Sequence, residues 1–301
     1  STIKVLPMSQ ISESTKFSIN KRSICQFILA VAIPLLFLAF LRMAILCKDG
    51  ETDPDAFYHA KLAELGPKTF LAKKFPTLTL SVWSEAFSDK ELGLHLVLRA
   101  LYKSANLFGI FCSPPFHFYS LALLFIFFAT LCILLQYWKI SSPFYYTGLT
   151  CVIYYTFTLR LLFVRAYLLA MTLLLLTVLL LSIEELRKRP QFRYFALLVI
   201  GMLYSYSYSN PHFIIAPVAA FAIAEFIEEG KYRHLFILPI IALVGVILGL
   251  CLHPQFPNTW IILKVQCWDV LKMILGTGTE AQIKGGNEFY VKTWHTLLRA
   301  P

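Results

Sequence analysis

Charge is what this sequence has least of: Asp, Glu, Lys and Arg together make up 15% of its 301 residues, where average soluble chains carry roughly a quarter. That shortage excludes an ordinary soluble domain. Disulfide and zinc patterns are missing too. The seven cysteines include no Cys-x-x-Cys pair and no Cys/His cluster, which removes a disulfide framework and a structural zinc site. Cys25, Cys132, Cys151 and Cys251 fall inside apolar runs, where a thiol packs as a small hydrophobe. Cys47 and Cys112, near the two ends of one polar loop, leave a single pairing open. There is no internal repeat and no low-complexity tract, so repeat arrays and long linkers drop out.

What is present in their place is apolar. Hydrophobic residues reach 58%, aromatic residues alone equal the charged fraction, and mean hydropathy is +0.67. The apolar residues come in blocks of about 16–24, the length of a bilayer crossing. The sequence therefore predicts an all-α polytopic membrane protein with seven spans, at 24–47, 117–138, 144–158, 166–183, 195–209, 213–227 and 235–252. Residues 1–23 form a polar N-terminal arm, residues 48–116 a long first outer loop, and residues 253–301 an outer tail. The chain begins at Ser1, and its first apolar run is too long for a secretory signal.

Segment 92–111 is apolar on average, but His95, Arg99 and Lys103 recur every four residues along it. Such spacing puts them on one helical face and predicts an amphipathic helix lying at the membrane surface. Charge supports that choice. With 92–111 outside the count, the N-terminal arm, Lys139, the 184–193 loop and the 228–234 loop share one side, rich in Lys and Arg. Short basic loops belong in the cytoplasm, so the net charge of +10 speaks for topology and not for nucleic acid.

The remaining polar residues then gather on the outer side. The first loop holds eight of the seventeen acidic residues. Its segment Asp49-Gly-Glu51-Thr-Asp53-Pro54-Asp55-Ala-Phe-Tyr58-His59 places four carboxylates within seven residues. Asp53 before Pro54 is a natural helix cap, and His59 follows Asp55 on the same face. The cluster suits a divalent cation or a general base, with capping as the plain structural alternative. Downstream, Ser88 is placed to cap the next helix with Glu91 completing a capping box, and Trp83 and Phe87 suit a headgroup belt. Arg160 and Arg165 sit on an outer turn where topology calls for no positive charge; their planar forks match phosphate oxygens, against a background reading of headgroup snorkelling. Asn210, His212 and His253 mark further outer junctions, and the alternating Tyr/Ser run 204–209 reads as the wall of a polar cavity.

Taken together, these residues resemble GT-C class membrane glycosyltransferases. Asp53-Pro-Asp-Ala-Phe-Tyr58-His59 is similar to the first acidic motif of the oligosaccharyltransferase catalytic subunit, D-P-x-x-x-Y-R, with His59 in the place of Arg. Phe87-Ser-Asp89 through His95 resembles the F-x-D-x-x-x-x-x-H pattern of uncharacterised bacterial members, as do the Arg160–Arg165 turn, Asn210-Pro-His212 and His253-Pro through Pro257-Asn258. The resemblance implies transfer of a sugar from a polyprenyl-phosphate-linked donor, on the outer face of a bacterial inner (plasma) membrane. Asp53 and Asp55 would be catalytic, with Asp53 as general base or as ligand to a divalent cation (Mg or Mn). His59, Asp89, His95, Arg160, Arg165, Asn210, His212 and His253 would bind substrate. Membrane lipid is an implied partner; nucleic acid is not, and the sugar and acceptor are left open. Two departures accompany the likeness: Arg160-Leu-Leu-Phe-Val-Arg165-Ala-Tyr carries no second acidic motif, and the chain is shorter than usual members, as if lacking their C-terminal part. A transporter or flippase of lipid-linked substrates, which would hold its ionisable groups near the midplane, and a non-catalytic or degenerate homologue are the competing readings.

Overall fold

The computed structural model describes residues 21–46, 53–75, 82–107, 109, 116–230, 232–269 and 272. Among these the chain is helical without a strand: α1 (Lys21–Leu46), α2 (Pro54–Leu65), α3 (Pro67–Phe70), α4 (Leu92–Leu107), α5 (Phe116–Tyr137), α6 (Pro143–Val152), α7 (Tyr155–Leu162), α8 (Ala166–Ser182), α9 (Glu184–Arg187), α10 (Pro190–Ser207), α11 (Ile215–Glu229), α12 (Tyr232–Leu252) and α13 (Asn258–Leu263). Four helices are long and apolar enough to cross a membrane, at Ser23–Ile45, Phe116–Tyr137, Pro211–Glu229 and Tyr232–Leu252; α7 and α8 together make a fifth if their bend is counted as one broken span. The exteriors of these helices are apolar. On α1, Leu36 is 70% and Phe40 73% exposed, a surface suited to lipid and costly in water.

The expected span 144–158 is not one helix. It breaks at Ile153-Tyr154 into α6 and α7, and α7 then turns by 103° into α8. Val152, Ile153, Tyr154 and Tyr155 are weak helix formers in a row. Backbone freed at membrane depth needs other partners, and here it finds them. The Thr158 hydroxyl donates to the Cys151 carbonyl at 2.6 Å. At the bend, the Leu162 carbonyl accepts from Ser120 Oγ at 3.0 Å and from the buried Arg42 guanidinium.

Three core clusters meet at α8. One joins α1, α2, α4, α5 and α7 to the start of α8 through residues such as Leu38, Leu98, Phe128 and Leu161. Others join the rest of α8 to α10, α11 and α12. α10 and α12 approach closely enough to exclude side chains: a Cβ on Gly245 would lie 2.4 Å from the Leu198 carbonyl oxygen. Small residues permit such close packing between membrane helices.

Each end of the bundle draws together remote segments. At one end, Gln136 donates to the Ser23 carbonyl, Tyr137 to that of Ser182, and Arg187 and Arg193 reach Glu225. These are the segments predicted to share the basic side. At the other end lie α2, α4, the α7–α8 bend and residues 253–258.

Candidate functional site

Asp53 has the predicted capping role: its Oδ1 accepts from the Asp55 N–H at 3.2 Å, and Pro54 opens α2. It also has a second partner. Arg165, in extended backbone at the start of α8, lays its fork across the Asp53 carboxylate, with Nε and NH2 each 2.6 Å from an oxygen. Its NH1 reaches Asp55. The Asp53 side chain is 2% exposed and that of Asp55 53%, so the guanidinium joins a buried carboxylate to one at the surface. Arg42 and Ser120, by holding the Leu162 carbonyl, fix the bend that delivers Arg165 to this place; Arg42 Nε also donates to His117 Nδ1 at 3.0 Å.

Beside this pair runs a chain of four titratable groups. Asp89 Oδ2 lies 2.7 Å from His95 Nδ1, His95 Nε2 2.8 Å from His59 Nδ1, and His59 Nε2 3.6 Å from Glu91. Both histidines are buried, at 3% for His59 and 0% for His95. Burial, with the neighbouring His95 and Arg165, drags the His59 imidazole down to about 2, so it is neutral. Burial also pushes the Glu91 carboxyl above its ordinary range. Tyr58, pressed between His95 and a stacked Trp83, is raised by burial and by Asp89, Glu91 and Asp55, and stays a phenol.

His59 and His95, their ring nitrogens 2.8 Å apart, share one hydrogen bond as donor and acceptor, and the other His95 nitrogen bonds Asp89. Glu91, 3.6 Å from His59 Nε2, lies beyond hydrogen-bond reach and joins the cluster by proximity alone.

Residues 253–258 seal the rear of the site. Gln255 is fully buried; its amide donates to the carbonyls of Thr69 (3.1 Å) and Ala72 (2.7 Å), and its oxygen accepts from the Asp89 N–H. Asn258 donates to the carbonyls of Lys73 and Phe87, both at 2.9 Å. His253 is buried, its ring edge-on to Tyr206, and Asp89 and its backbone oppose the lowering that burial imposes on its charge. A cleft opens here, with Ser205, Tyr208 and Ser209 of the alternating run in its wall.

Several expectations need correction. Ser88 does not cap α4: Asp89 does, its Oδ1 accepting from the Glu91 N–H at 3.1 Å and its carbonyl from Leu92, because a carboxylate one residue closer to the helix forms the tighter turn. Phe87 is 0% exposed and packs on Phe75 and Trp83, so it belongs to the interior and not to a headgroup belt. The proposed polar face of α4 splits: His95 turns inward, Arg99 donates to the Ala63 and Glu64 carbonyls at the end of α2, and only Lys103 is exposed. Arg160 is exposed and lies outside the Asp53–Arg165–Asp55 cluster, its carbonyl accepting from Tyr167. Asn210 and His212 lie by Cys267, at 3.6 and 3.9 Å. Asp49, Glu51, Cys47, Cys112, residues 1–20 of the N-terminal arm and most of the tail lie outside the described residues; the five described cysteines are free.

The sequence reading overlooked Arg42, Gln255 and Gln266. Arg42 carried a signal: it is an arginine inside the first apolar run, on the side where basic residues are not expected. As for a metal ion, both Asp53 oxygens are taken by Arg165, and no group of three or more His, Cys, Asp or Glu residues among the described residues is placed to hold one. In this arrangement the guanidinium supplies the positive charge that a cation would bring. Comparison with family models, curated proteins and solved structures yields no match for the chain.

Proposed function

We propose that this chain is a GT-C-like glycosyltransferase with seven spans, moving a sugar from a polyprenyl-phosphate-linked donor to an acceptor at the outer face of a bacterial plasma membrane. One observation carries the reading. Residues 53–59, 89–95 and 165, far apart in sequence, meet at one end of an apolar bundle, where an arginine fork seats between two carboxylates beside an Asp–His–His chain.

The fork is the natural partner of the donor phosphate, since guanidinium and phosphate pair through two parallel hydrogen bonds. As the phosphate takes Arg165, it draws the guanidinium off Asp53 and uncovers a carboxylate able to accept a proton. The acceptor oxygen then attacks the anomeric carbon, its proton passes to Asp53, and the bond from that carbon to the phosphate oxygen breaks. Polyprenyl phosphate leaves with the bonding pair, its charge stabilised by Arg165. The base is thus masked until the donor arrives.

The test is release of polyprenyl phosphate from polyprenyl-phosphate sugars by the purified chain in lipid. Asp53→Asn retains a helix cap, since Asn ranks with Asp there, yet should turn over about 100-fold more slowly, the usual scale for a lost general base. Wild-type turnover by the folded variant would sink the assignment. Orientation is tested separately: a cysteine at exposed Lys68 should react with an impermeant reagent added outside, and one at Lys188 should not. The reverse pattern would place this end of the bundle in the cytoplasm.

A further inference from the structure

A cleft open on one side lies beside Asp89, between the ends of α10, α12 and α13. Two polar atoms in its wall are buried without a hydrogen bond: Nε2 of His253 and Oε1 of Gln266. Native interiors leave few such atoms open. Their chemistry is complementary. His253 Nδ1 accepts from the Gln255 N–H at 3.2 Å, so the neutral ring carries its proton on Nε2 and presents a donor. Gln266 presents an acceptor, from a π-helical turn at Lys264–Asp269, a geometry often found at functional sites.

A donor and an acceptor facing one space are matched by a group that does both, which is what a hydroxyl does. The rest of the lining agrees. Ser88, Tyr208 and Ser209 add hydroxyls that rotate to suit a partner, and Leu250, Ile262 and Leu263 add an apolar surface. Rotatable hydroxyls on one side and aliphatic carbon on another fit a sugar ring, whose edge is polar and whose C–H face is not.

We propose that this cleft binds the ring of a neutral sugar, with His253 Nε2–H donating to one hydroxyl and Gln266 Oε1 accepting from another. The assignment deepens the glycosyl-transfer reading and rests on it for the claim that the bound sugar is substrate. Asp89 ties the two regions together, since it lines the cleft and holds His95 of the Asp–His–His chain. A sugar seated here lies next to that chain.

Saturation-transfer NMR on the full chain in nanodiscs tests it, with the methyl glycosides of glucose, galactose, mannose and N-acetylglucosamine as probes. Inorganic phosphate, which Lys90 at the cleft would favour, and glycylglycine, whose amides also donate and accept, serve as competitors. At least one glycoside should take up saturation, largely losing it in Gln266→Leu and in His253→Phe and retaining it in Gln266→Glu, which keeps an acceptor. If His253→Phe fails to fold, Gln266→Leu decides. The proposal is overturned if no glycoside receives saturation, if folded Gln266→Leu binds as wild type does, or if phosphate or the dipeptide displaces the glycoside at equal concentration. Glycoside binding without turnover of any lipid-linked sugar would leave this site standing and remove the transferase. Turnover with no loss of glycoside binding in these variants would do the opposite.

Discussion

The two ends of the helical bundle both bury charge, and they do so to different effect. At the end holding α9 and the α11–α12 turn, Glu225 is 0% exposed and each of its oxygens has two partners: Arg193 NH2 at 2.8 Å and Arg187 at 3.1 Å on one, His234 at 2.7 Å and Arg193 NH1 at 3.3 Å on the other. Its partners come from three helices, α9, α10 and α12. At the opposite end, the Asp53–Arg165 pair joins a buried carboxylate to a guanidinium that is 33% exposed, and the neighbouring His253 leaves a buried nitrogen unbonded. The first cluster has its central carboxylate saturated by the protein itself, which is what a joint needs. A buried unbonded nitrogen is common to both, since Arg193 Nε in the first cluster is open as well; the second is set apart by the exposed edge of Arg165 and the exposed Asp55 carboxylate, which is what a binding site needs.

Removing the saturated carboxylate should give the largest effect. Glu225→Ala strands Arg193, which is 1% exposed, and breaking a buried ion pair from one side costs about 3–5 kcal/mol. Denaturation in lipid should show that loss, with the glycoside-binding cleft unchanged in whatever protein stays folded. Glu225→Gln, which keeps size and one acceptor oxygen, should lose less. If Glu225→Ala is as stable as wild type, the contrast between a structural end and a functional end fails.

That contrast was only half legible in the sequence. Hydropathy and loop charge gave the bundle, and the basic loops that sit at one end were named from their Lys and Arg content. Asp53, His59, Asp89, His95 and Arg165 were singled out on motif and spacing, and the fold brings these five together. Their partnership was not legible. A spacing argument reaches three or four residues along a helix, while Arg165 meets Asp53 across 112 residues. Glu225 escaped notice for the same reason: at the end of an apolar run it reads as a loop charge, and its burial depends on Arg187, Arg193 and His234 folding over it. The bend between α7 and α8 depends likewise on remote groups, Ser120 and Arg42, which serve the Leu162 carbonyl.

Acid probes the functional end next. An unfolded histidine takes up its proton near pH 6.5, whereas His59 in the fold stays neutral down to about 2. Below pH 6.5 the unfolded chain therefore binds a proton that the native site refuses, and stability falls as pH falls, by up to about 1.4 kcal/mol per pH unit from this one group. His253, lowered by burial, acts with the same sign. Glu91, raised by burial, acts oppositely: its contribution is lost as pH rises above its unfolded value. Comparing wild type with His59→Gln isolates the histidine. The variant should show a shallower loss of stability between pH 6.5 and 5; equal slopes would mean that His59 is not held neutral.

The smallest effects separate the two arginines of the α7–α8 turn. Sequence spacing treats Arg160 and Arg165 alike, as two forks on one outer turn. The fold does not: Arg165 is half-buried with both edges on carboxylates, and Arg160 is exposed outside that cluster. A charged hydrogen-bonding partner in a partly buried site contributes about 1.5–3 kcal/mol, so Arg165→Gln should weaken binding of a polyprenyl-phosphate donor by roughly 10- to 100-fold. Arg165→Lys should recover only part of that, because a point charge lacks the fork that pairs with two phosphate oxygens. An exposed charge contributes about 0–1 kcal/mol. Arg160→Gln should therefore weaken donor binding by no more than about fivefold, and added salt should erase the difference, since screening acts most on exposed charges. Donor titrations at low and high salt measure both. Equal losses in the two variants would show that the donor phosphate sits between the arginines on the open turn, away from the Asp53 carboxylate, and the unmasking of that carboxylate by the donor would have to be abandoned.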